Sequence, residues 1–320
     1  MSASGGNKAI LAALAANLGI AIAKFIGYLI TMSSSMLAES IHSLADTSNQ
    51  ALLLLGGRKS RKLADAEHPF GYGRERYVYA FVVSIILFSV GGVFSLYEGI
   101  DKLSHPHELE TPIVAVIILV VAIGFEGFSF RTAIVESNHV RGKQGWIAFI
   151  RHAKAPELPV VLLEDFAALT GLVLALAGVG LTWATGNPVF DAIGTICIGV
   201  LLVLVAIVLG IETKSLLVGE GATVEDTTKI RDVINAQPQV ESLIHMKTLY
   251  LGPDELLVAA KVAFARTKKL AEVAAAINDL EVAVREAVPA ARVIYIEPDV
   301  FTTPNEANPA TDVFVIKAAD

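Results

Sequence analysis

Apolar residues are gathered into six long runs in the first two thirds of the chain. The runs cover residues 9–31, 36–57, 78–101, 112–135, 158–183 and 188–211. About 20 consecutive apolar residues form a helix that is long enough to cross the roughly 30 Å hydrocarbon core of a bilayer. The pattern therefore predicts a membrane domain of six transmembrane α-helices over residues 1–211.

Basic residues are concentrated in two of the loops between these runs. The short loops at 32–35, 102–111 and 184–187 contain a single Lys or Arg, Lys102. The two longer loops hold Arg58, Lys59, Arg61, Lys62, Arg74 and Arg76, and then Arg141, Lys143, Arg151 and Lys154. Because Lys and Arg are enriched in cytoplasmic loops, both basic loops and both termini are predicted to lie in the cytoplasm.

The hydropathy falls after residue 211, and the pattern changes to that of a small α+β domain. Amphipathic helical spacing at 224–237 is followed by two strand-like segments at 240–252 and 255–265. A second helical pattern covers 268–289, and a third strand covers 291–300. The order predicts an αββαβ, metallochaperone-like cytoplasmic domain within 212–320, with its helices on one face of a sheet and a tail from 302.

The composition agrees with a polytopic membrane protein. Hydrophobic residues make up 54% of the chain, charged residues only 18%, and the mean hydropathy is +0.59. The single cysteine, Cys197, excludes a disulfide within the chain and a cysteine-based zinc site. The first apolar run is too long for the core of a signal peptide, so it is expected to belong to the mature protein.

A stripe of polar residues interrupts the second apolar run. His42, Asp46 and Asn49 stand at helical spacings that share one face, and Glu39 lies about one turn before His42. Ionisable groups at membrane depth are costly and usually face a cavity with a function. Hydrogen bonding between helices would explain an isolated Asn or Ser. The pair His42 and Asp46 instead favours a divalent cation, since imidazole and carboxylate are both zinc ligands.

A second set of ligands is expected in the fifth run, which contains Glu164 and Asp165. Adjacent residues lie about 100° apart on a helix, so the two carboxylates are not expected to reach the same ion. Asp165 is the preferred ligand and Glu164 the second choice. The predicted metal site therefore consists of His42, Asp46, Asp165 and Glu164, near the middle of the membrane.

Several segments resemble the cation diffusion facilitator family. They are "ESIHSLAD" in the second run, "EHPFGYGRER" before the third, "YEGIDKL" at the end of the third and "DAIGTICIGVLL" in the sixth. The resemblance covers about residues 8–300. The form "LLEDFAALTG" in the fifth run is similar to the branch that contains the animal mitochondrial zinc transporter.

The resemblance implies a homodimeric antiporter that exports a divalent metal, usually Zn²⁺, in exchange for protons. The transport site of the family maps onto His42, Asp46, Val161 and Asp165. Val161 cannot bind metal, so Glu164, a water molecule or a polar residue such as Asn17 would have to supply the fourth ligand.

Two further metal sites of some relatives map onto this chain incompletely. The site in the loop after the second run corresponds to Asp65, His68 and Tyr72, where Tyr72 stands in place of a histidine. The stretches that bind metal in the tail domain of other relatives contain Lys261, a poor ligand at neutral pH. The tail domain is therefore interpreted as a dimerisation module.

The predicted function is proton-coupled efflux of Zn²⁺ by alternating access, and not enzymatic catalysis. Export of Mn²⁺, Fe²⁺ or Co²⁺ by the same mechanism is the main alternative. A metalloenzyme is disfavoured because the chain has no H-E-x-x-H or G-x-S-x-G motif, and a channel because a closed His/Asp site favours tight binding. The expected partners are divalent ions, membrane lipid and a second copy of the chain, with no nucleic acid. The expected location is a bacterial inner membrane.

Overall fold

The computed structural model describes residues 4–31, 34–105 and 112–301. The tail predicted from residue 302 lies outside these ranges. The chain forms two compact units. The first comprises the residues up to Glu220 together with Tyr250–Asp254, and the second comprises Gly221–Leu249 and the residues from Glu255.

Up to Glu220, the elements of the first unit are all helices. Its elements are α1 (Ser4–Thr31), α2 (Ser34–Lys59), α3 (Glu75–Ile86), a π-helical segment (Leu87–Val93), α4 (Phe94–Ser104), α5 (Pro112–Arg141), α6 (Trp146–His152), α7 (Glu157–Thr185) and α8 (Val189–Val218). Within the described residues, four continuous stretches are long and apolar enough to cross a membrane: Glu75–Ser104, Pro112–Arg141, Glu157–Thr185 and Val189–Val218. A shorter apolar segment, Asn17–Ile26, lies in α1, and α2 carries the polar stripe. The count of six spans stays a prediction.

The helices of the first unit pack as two groups that share an apolar core. In one group, α1 contacts α2, α5 and α7, and α5 also contacts α7. In the other, α8 packs against α3, the π-helical segment and α4. Buried side chains from both groups, including Leu53, Val83, Val161 and Leu209, form the core between them.

Glycines allow α4 and α8 to approach closely. A Cβ atom on Gly99 would lie 2.6 Å from the side chain of Ile196, and one on Gly199 would lie 2.8 Å from Leu96. Small residues at such interfaces are typical of membrane helices, where close van der Waals packing replaces the hydrophobic effect as the driving force.

Two features of this unit differ from the sequence prediction. The third apolar run contains a π-helical segment, Leu87–Val93, rather than a continuous α-helix. The second basic loop contains the short helix α6, Trp146–His152. Hydropathy detects neither feature, because a π-helix has the same composition as an α-helix and because α6 is short and carries both charged and aromatic residues.

After Glu220 the elements are α9 (Val224–Asn235), β1 (Ser242–Gly252), β2 (Glu255–Ala263), α10 (Leu270–Ala287) and β3 (Ala291–Asp299), with the sheet order β1-β2-β3. They belong to the second unit except for the last three residues of β1. Strands β2 and β3 are parallel, with Val258 opposite Ile294 and Lys261 opposite Glu297. Thr223 caps α9 by accepting a hydrogen bond from the backbone N–H of Asp226 at 3.1 Å. Alternate residues of β2 are buried, as expected for a strand with one covered face.

Candidate functional site

Polar side chains from four helices are buried inside the first unit. Nine of these side chains interact with one another: Lys24 on α1, Ser43, Asp46, Asn49 and Gln50 on α2, Glu126 and Ser129 on α5, and Glu164 and Asp165 on α7. A charge at the centre of a bilayer costs at least about 2.5–3.5 kcal/mol on insertion scales, so such groups usually serve a function. We call these nine residues the polar cluster.

Helix α2 supplies one side of the polar cluster. Asp46, Asn49 and Gln50 are all buried, because residues three and four apart lie on the same face of a helix. Glu39 and His42 belong to α2, but their side chains lie outside the described part of the structure. His42 lies four residues before Asp46 on this helix, so both residues share one face, and His42 stays a predicted ligand.

The two acidic residues of α7 face different neighbours. Asp165, only 1% exposed, accepts a hydrogen bond from the Ser129 hydroxyl of α5 at 2.6 Å. Glu164 accepts hydrogen bonds from α2, from Asn49 Nδ2 at 2.9 Å on Oε1 and from Gln50 Nε2 at 2.6 Å on Oε2. The angle of about 100° between adjacent residues explains why one side chain reaches α5 and the other reaches α2.

The charges of the polar cluster lie within electrostatic range of one another. Asp46 interacts in this way with Glu164, Asp165 and Glu126. The positive charge of Lys24 also acts on Glu126, and the Lys24 ammonium donates a hydrogen bond to the Ser43 hydroxyl at 3.0 Å. Four carboxyl groups and one ammonium group make this a region that a divalent cation would stabilise, because the surroundings have a low dielectric constant.

The position of the fourth family ligand is apolar. Val161 is fully buried in the core beside Leu53 and Val83, while Asn17 is buried on α1. Within the ranges that the structure describes, no three His, Cys, Asp or Glu side chains are arranged to hold a metal ion together. A complete coordination shell therefore needs His42 or a movement of the helices.

Five members of the polar cluster were not predicted from the sequence: Lys24, Ser43, Gln50, Glu126 and Ser129. Lys24 could have been found, because it is a charged residue inside the first apolar run. Gln50 follows Asn49 directly, and it is a neutral residue, so the pattern of ionisable groups on α2 does not indicate it. Ser129 carries no charge, and only its contact with Asp165 distinguishes it from other serines.

The loop after α2 is organised around the carboxylate of Asp65. Its Oδ2 accepts hydrogen bonds from the Tyr72 hydroxyl at 2.7 Å and from the Lys62 ammonium at 3.4 Å. Its Oδ1 accepts from the backbone N–H groups of Glu67 at 3.1 Å and His68 at 2.8 Å. These bonds, above all the one from Tyr72, hold the pKa of Asp65 well below its ordinary value. Protein donors thus engage the carboxylate at the positions where some relatives bind metal.

Replacing Tyr72 should loosen this loop and raise the pKa of Asp65. We expect Tyr72→Phe to make the Glu67 and His68 amides exchange severalfold faster, because the largest cause of the low pKa is removed. Because the pKa of Asp65 is lowered in the folded loop, its carboxylate stabilises the loop fully at pH values above the ordinary Asp pKa, about 3.9. That stabilisation is lost as the pH falls toward the lowered pKa of the folded loop. As the pH is lowered, the Glu67 and His68 amides should therefore lose their protection from exchange at a higher pH in the variant than in the wild type.

Hydrogen–deuterium exchange of the peptide covering 63–72, measured over a series of pH values, tests this expectation. Tyr295→Phe is the control, because Tyr295 is an exposed residue of β3 in the second unit. Equal exchange in Tyr72→Phe and the wild type at every pH would show that the Tyr72 hydroxyl does not hold the loop.

Lys261 of the second unit belongs to a stretch that the family resemblance associates with metal binding, and it is engaged in ion pairs. Its ammonium pairs with Asp299 at 2.9 Å and with Glu297 at 3.2 Å on the neighbouring strand β3. The hydrogen bond to Asp299, followed by that to Glu297, raises the pKa of Lys261. A cationic side chain therefore already neutralises these two carboxylates.

Comparisons with known proteins cover the part of the chain that contains the polar cluster. The family model for the cation efflux transmembrane domain matches residues 10–218. The chain is 32% identical over 262 residues to the proton-coupled zinc antiporter SLC30A9, mitochondrial, of Mus musculus, covering 81% of this chain and 46% of the relative. It is 31% identical over 262 residues to metal tolerance protein C4 of Arabidopsis thaliana, covering 80% and 57%.

A bacterial relative is matched over more of its length. The cation-efflux pump FieF of Serratia proteamaculans is 28% identical over 250 residues, which is 78% of each chain. The present chain spans about half the length of the mitochondrial antiporters. The names of these antiporters and of the pump describe transporters and not enzymes. The family match and the apolar helices together identify the chain as an integral membrane protein. The resemblance found in the sequence is thereby confirmed: the chain belongs to the cation diffusion facilitator family.

Proposed function

We propose that this protein exports a divalent metal ion, Zn²⁺ in the first place, in exchange for protons. The observation that carries the proposal is the polar cluster, in which four buried carboxyl groups have one buried lysine among them. The names of two relatives, a proton-coupled zinc antiporter and a cation-efflux pump, support the same reaction.

The proposed ligands are Asp46 and Asp165, together with His42 and, as second choice on α7, Glu164. Metal ligands must be deprotonated to bind, so protons and metal compete for the same groups without a separate coupling device. Histidine suits such an exchange because its ordinary pKa, about 6.5, lies close to physiological pH.

Transport follows by alternating access. The ion enters from the cytoplasm, the helices of the first unit rearrange to open the site outward, and protons displace the ion there.

The order α9-β1-β2-α10-β3 supports the proposal that the second unit is a metallochaperone-like dimerisation domain. We further propose six spans, both termini in the cytoplasm and a homodimer. The location in a bacterial inner membrane stays a prediction, whereas the zinc antiporters among the relatives are named as mitochondrial.

Export of Mn²⁺, Fe²⁺ or Co²⁺ is the second candidate function. It is favoured by the apolar environment of Val161, which leaves His42 as the one nitrogen ligand that we propose. Carboxylate oxygen suits Mn²⁺, while imidazole suits zinc and other late first-row ions. The preference of the site for Zn²⁺ or Mn²⁺ therefore depends on how many carboxylates coordinate the ion beside His42.

Purified protein in proteoliposomes tests the proposed function. We expect saturable, proton-driven uptake of Zn²⁺ from a panel of divalent ions, and exchange of labelled for unlabelled metal in a counterflow assay. A channel would dissipate the gradient without saturation. An absence of exchange with every metal of the panel would contradict the proposal.

Metal choice should change when His42 is replaced by aspartate. His42→Asp gives a site of oxygen ligands only, so we expect a loss of Zn²⁺ uptake relative to Mn²⁺ of about tenfold, since imidazole favours the later ions. Release should also depend less on pH between about 6 and 7.5, because the imidazole is gone. Competition uptake with both metals on monodisperse protein is the measurement. An unchanged ratio of the two metals would remove His42 from the coordination shell.

A further inference from the structure

Glu126 is the acidic member of the polar cluster that the family site does not include. It lies in the apolar interior of α5 and is only 3% exposed. Its Oε2 atom is buried and has no hydrogen-bond partner. An unsatisfied carboxylate oxygen inside a low-dielectric region costs free energy, so its retention calls for a ligand that the structure does not hold.

The position of Glu126 is fixed by the contacts of its own helix. Ser129, three residues further along α5, hydrogen-bonds to Asp165. Residues three apart share one face of a helix, so Glu126 lies one turn from the point where α5 meets the proposed ligand on α7. In agreement with this position, Glu126 interacts electrostatically with both Asp165 and Asp46.

Lys24 approaches the same region from α1. It donates a hydrogen bond to Ser43, which lies one turn before Asp46 on α2. The positive charge of Lys24 acts on Glu126. Two proposed ligands with negative charge and a lysine with positive charge therefore act on Glu126. In this arrangement a transported cation and the Lys24 ammonium would compete for the same carboxylate.

We propose that Glu126 supplies a carboxylate oxygen to the transported divalent ion, and that Lys24 is its counter-ion when the ion is absent. This inference rests on the proposed function. It accounts for the missing ligand at Val161, which is buried among apolar side chains. It also gives a role to the first helix, which contributes no ligand to the family site.

Glu126 is better placed for this role than Glu164. Both oxygens of Glu164 already accept hydrogen bonds from amide groups of α2, so this residue joins α2 to α7 whether or not an ion is bound. Glu126 has a free oxygen on the side of the cluster where Asp165 meets α5. Glu164 therefore holds α2 and α7 together and stays the second choice as a ligand, whereas Glu126 is proposed to bind the ion directly.

Calorimetric titration of the purified full-length protein with Zn²⁺ tests the inference. We expect Glu126→Gln to weaken binding by about tenfold or more, because a carboxylate ligand is replaced by a neutral amide of the same shape. Glu136→Gln is the matched control, since Glu136 lies ten residues further along α5, outside the polar cluster, and this variant should bind as the wild type does. Lys24→Met should bind Zn²⁺ more tightly, because a competing cation is removed.

The outcomes separate this inference from the proposed function. If the wild type binds none of the divalent ions tested, the proposed function fails. If the wild type binds Zn²⁺ and Glu126→Gln binds it equally well, while Asp165→Asn does not, Glu126 is not a ligand and the proposed function stands. Should Glu126→Gln not give monodisperse protein, Glu126→Asp decides: a shifted affinity supports the inference and an unchanged one contradicts it.

Discussion

Asp165→Asn should lower divalent-metal transport in proteoliposomes by at least about 100-fold. Residues that only orient metal ligands already contribute about 10–100-fold when removed, and we propose Asp165 as a ligand. The asparagine keeps the size of the side chain and an oxygen that can accept the hydrogen bond from Ser129. It removes the negative charge, so the ion loses a charged partner inside a region of low dielectric constant.

The measurement is the initial rate of Zn²⁺ uptake, with size-exclusion chromatography to establish that the variant is folded. Asp101→Asn serves as the control, because Asp101 is exposed on α4 and pairs with His105 at 3.2 Å, outside the polar cluster. The control should transport at the wild-type rate. A wild-type rate in Asp165→Asn would mean that the proposed site is elsewhere.

Arg76→Met should lower the free energy of unfolding of the first unit by about 3–5 kcal/mol, the usual cost of breaking a buried ion pair from one side. The guanidinium of Arg76 pairs bidentately with Glu157, through Nε to Oε1 and through Nη2 to Oε2 at 2.8 Å. Both side chains are largely buried, so the variant leaves the Glu157 carboxylate without its partner. The pair joins the start of α3 to the start of α7.

Thermal unfolding in detergent, followed by circular dichroism, measures this effect. Arg151→Met is the control: Arg151 also faces a carboxylate, that of Glu212 at 3.7 Å, but its side chain is 67% exposed. Exposed pairs contribute little, so the control should unfold as the wild type does. The double variant Arg76→Met/Glu157→Met should recover part of the loss, since it buries no unpaired charge. Equal midpoint temperatures of unfolding for Arg76→Met and Arg151→Met would contradict the expectation.

The helices of the first unit could be predicted because hydropathy and length constrain them strongly. The third apolar run, 78–101, falls inside the helical stretch Glu75–Ser104, which extends beyond the apolar part at both ends. The additional turns carry Arg76 and Lys102, and their charges make the ends polar. Hydropathy locates the membrane part of a helix and does not locate the ends of the helix itself.

The site could be predicted only in part, because a sequence gives the face of a helix but not the neighbours of that face. Asp46 and Asn49 are buried as the spacing on α2 predicted. The partners of Glu164, which are Asn49 and Gln50, depend on how the fold brings α2 near α7, since the bonded residues lie 115 and 114 positions apart in sequence. Glu126 is buried and Arg131 is exposed, because residues five positions apart lie on different faces of a helix, but the sequence does not show which of the two faces is buried.

The distance in sequence between Lys24 and Glu126 has a consequence for the synthesis of the protein. Lys24 leaves the ribosome about 100 residues before Glu126, which corresponds to about 5–20 s at 5–20 residues per second. During this interval the first helix must hold a lysine in or near the bilayer without Glu126, the carboxylate that we propose as its counter-ion. Ser43, only 19 positions away, is made early enough to receive the ammonium group. The slow stage of membrane assembly should therefore be the arrival of α5 and α7, and a translocon that retains the first two helices for several seconds would favour correct assembly.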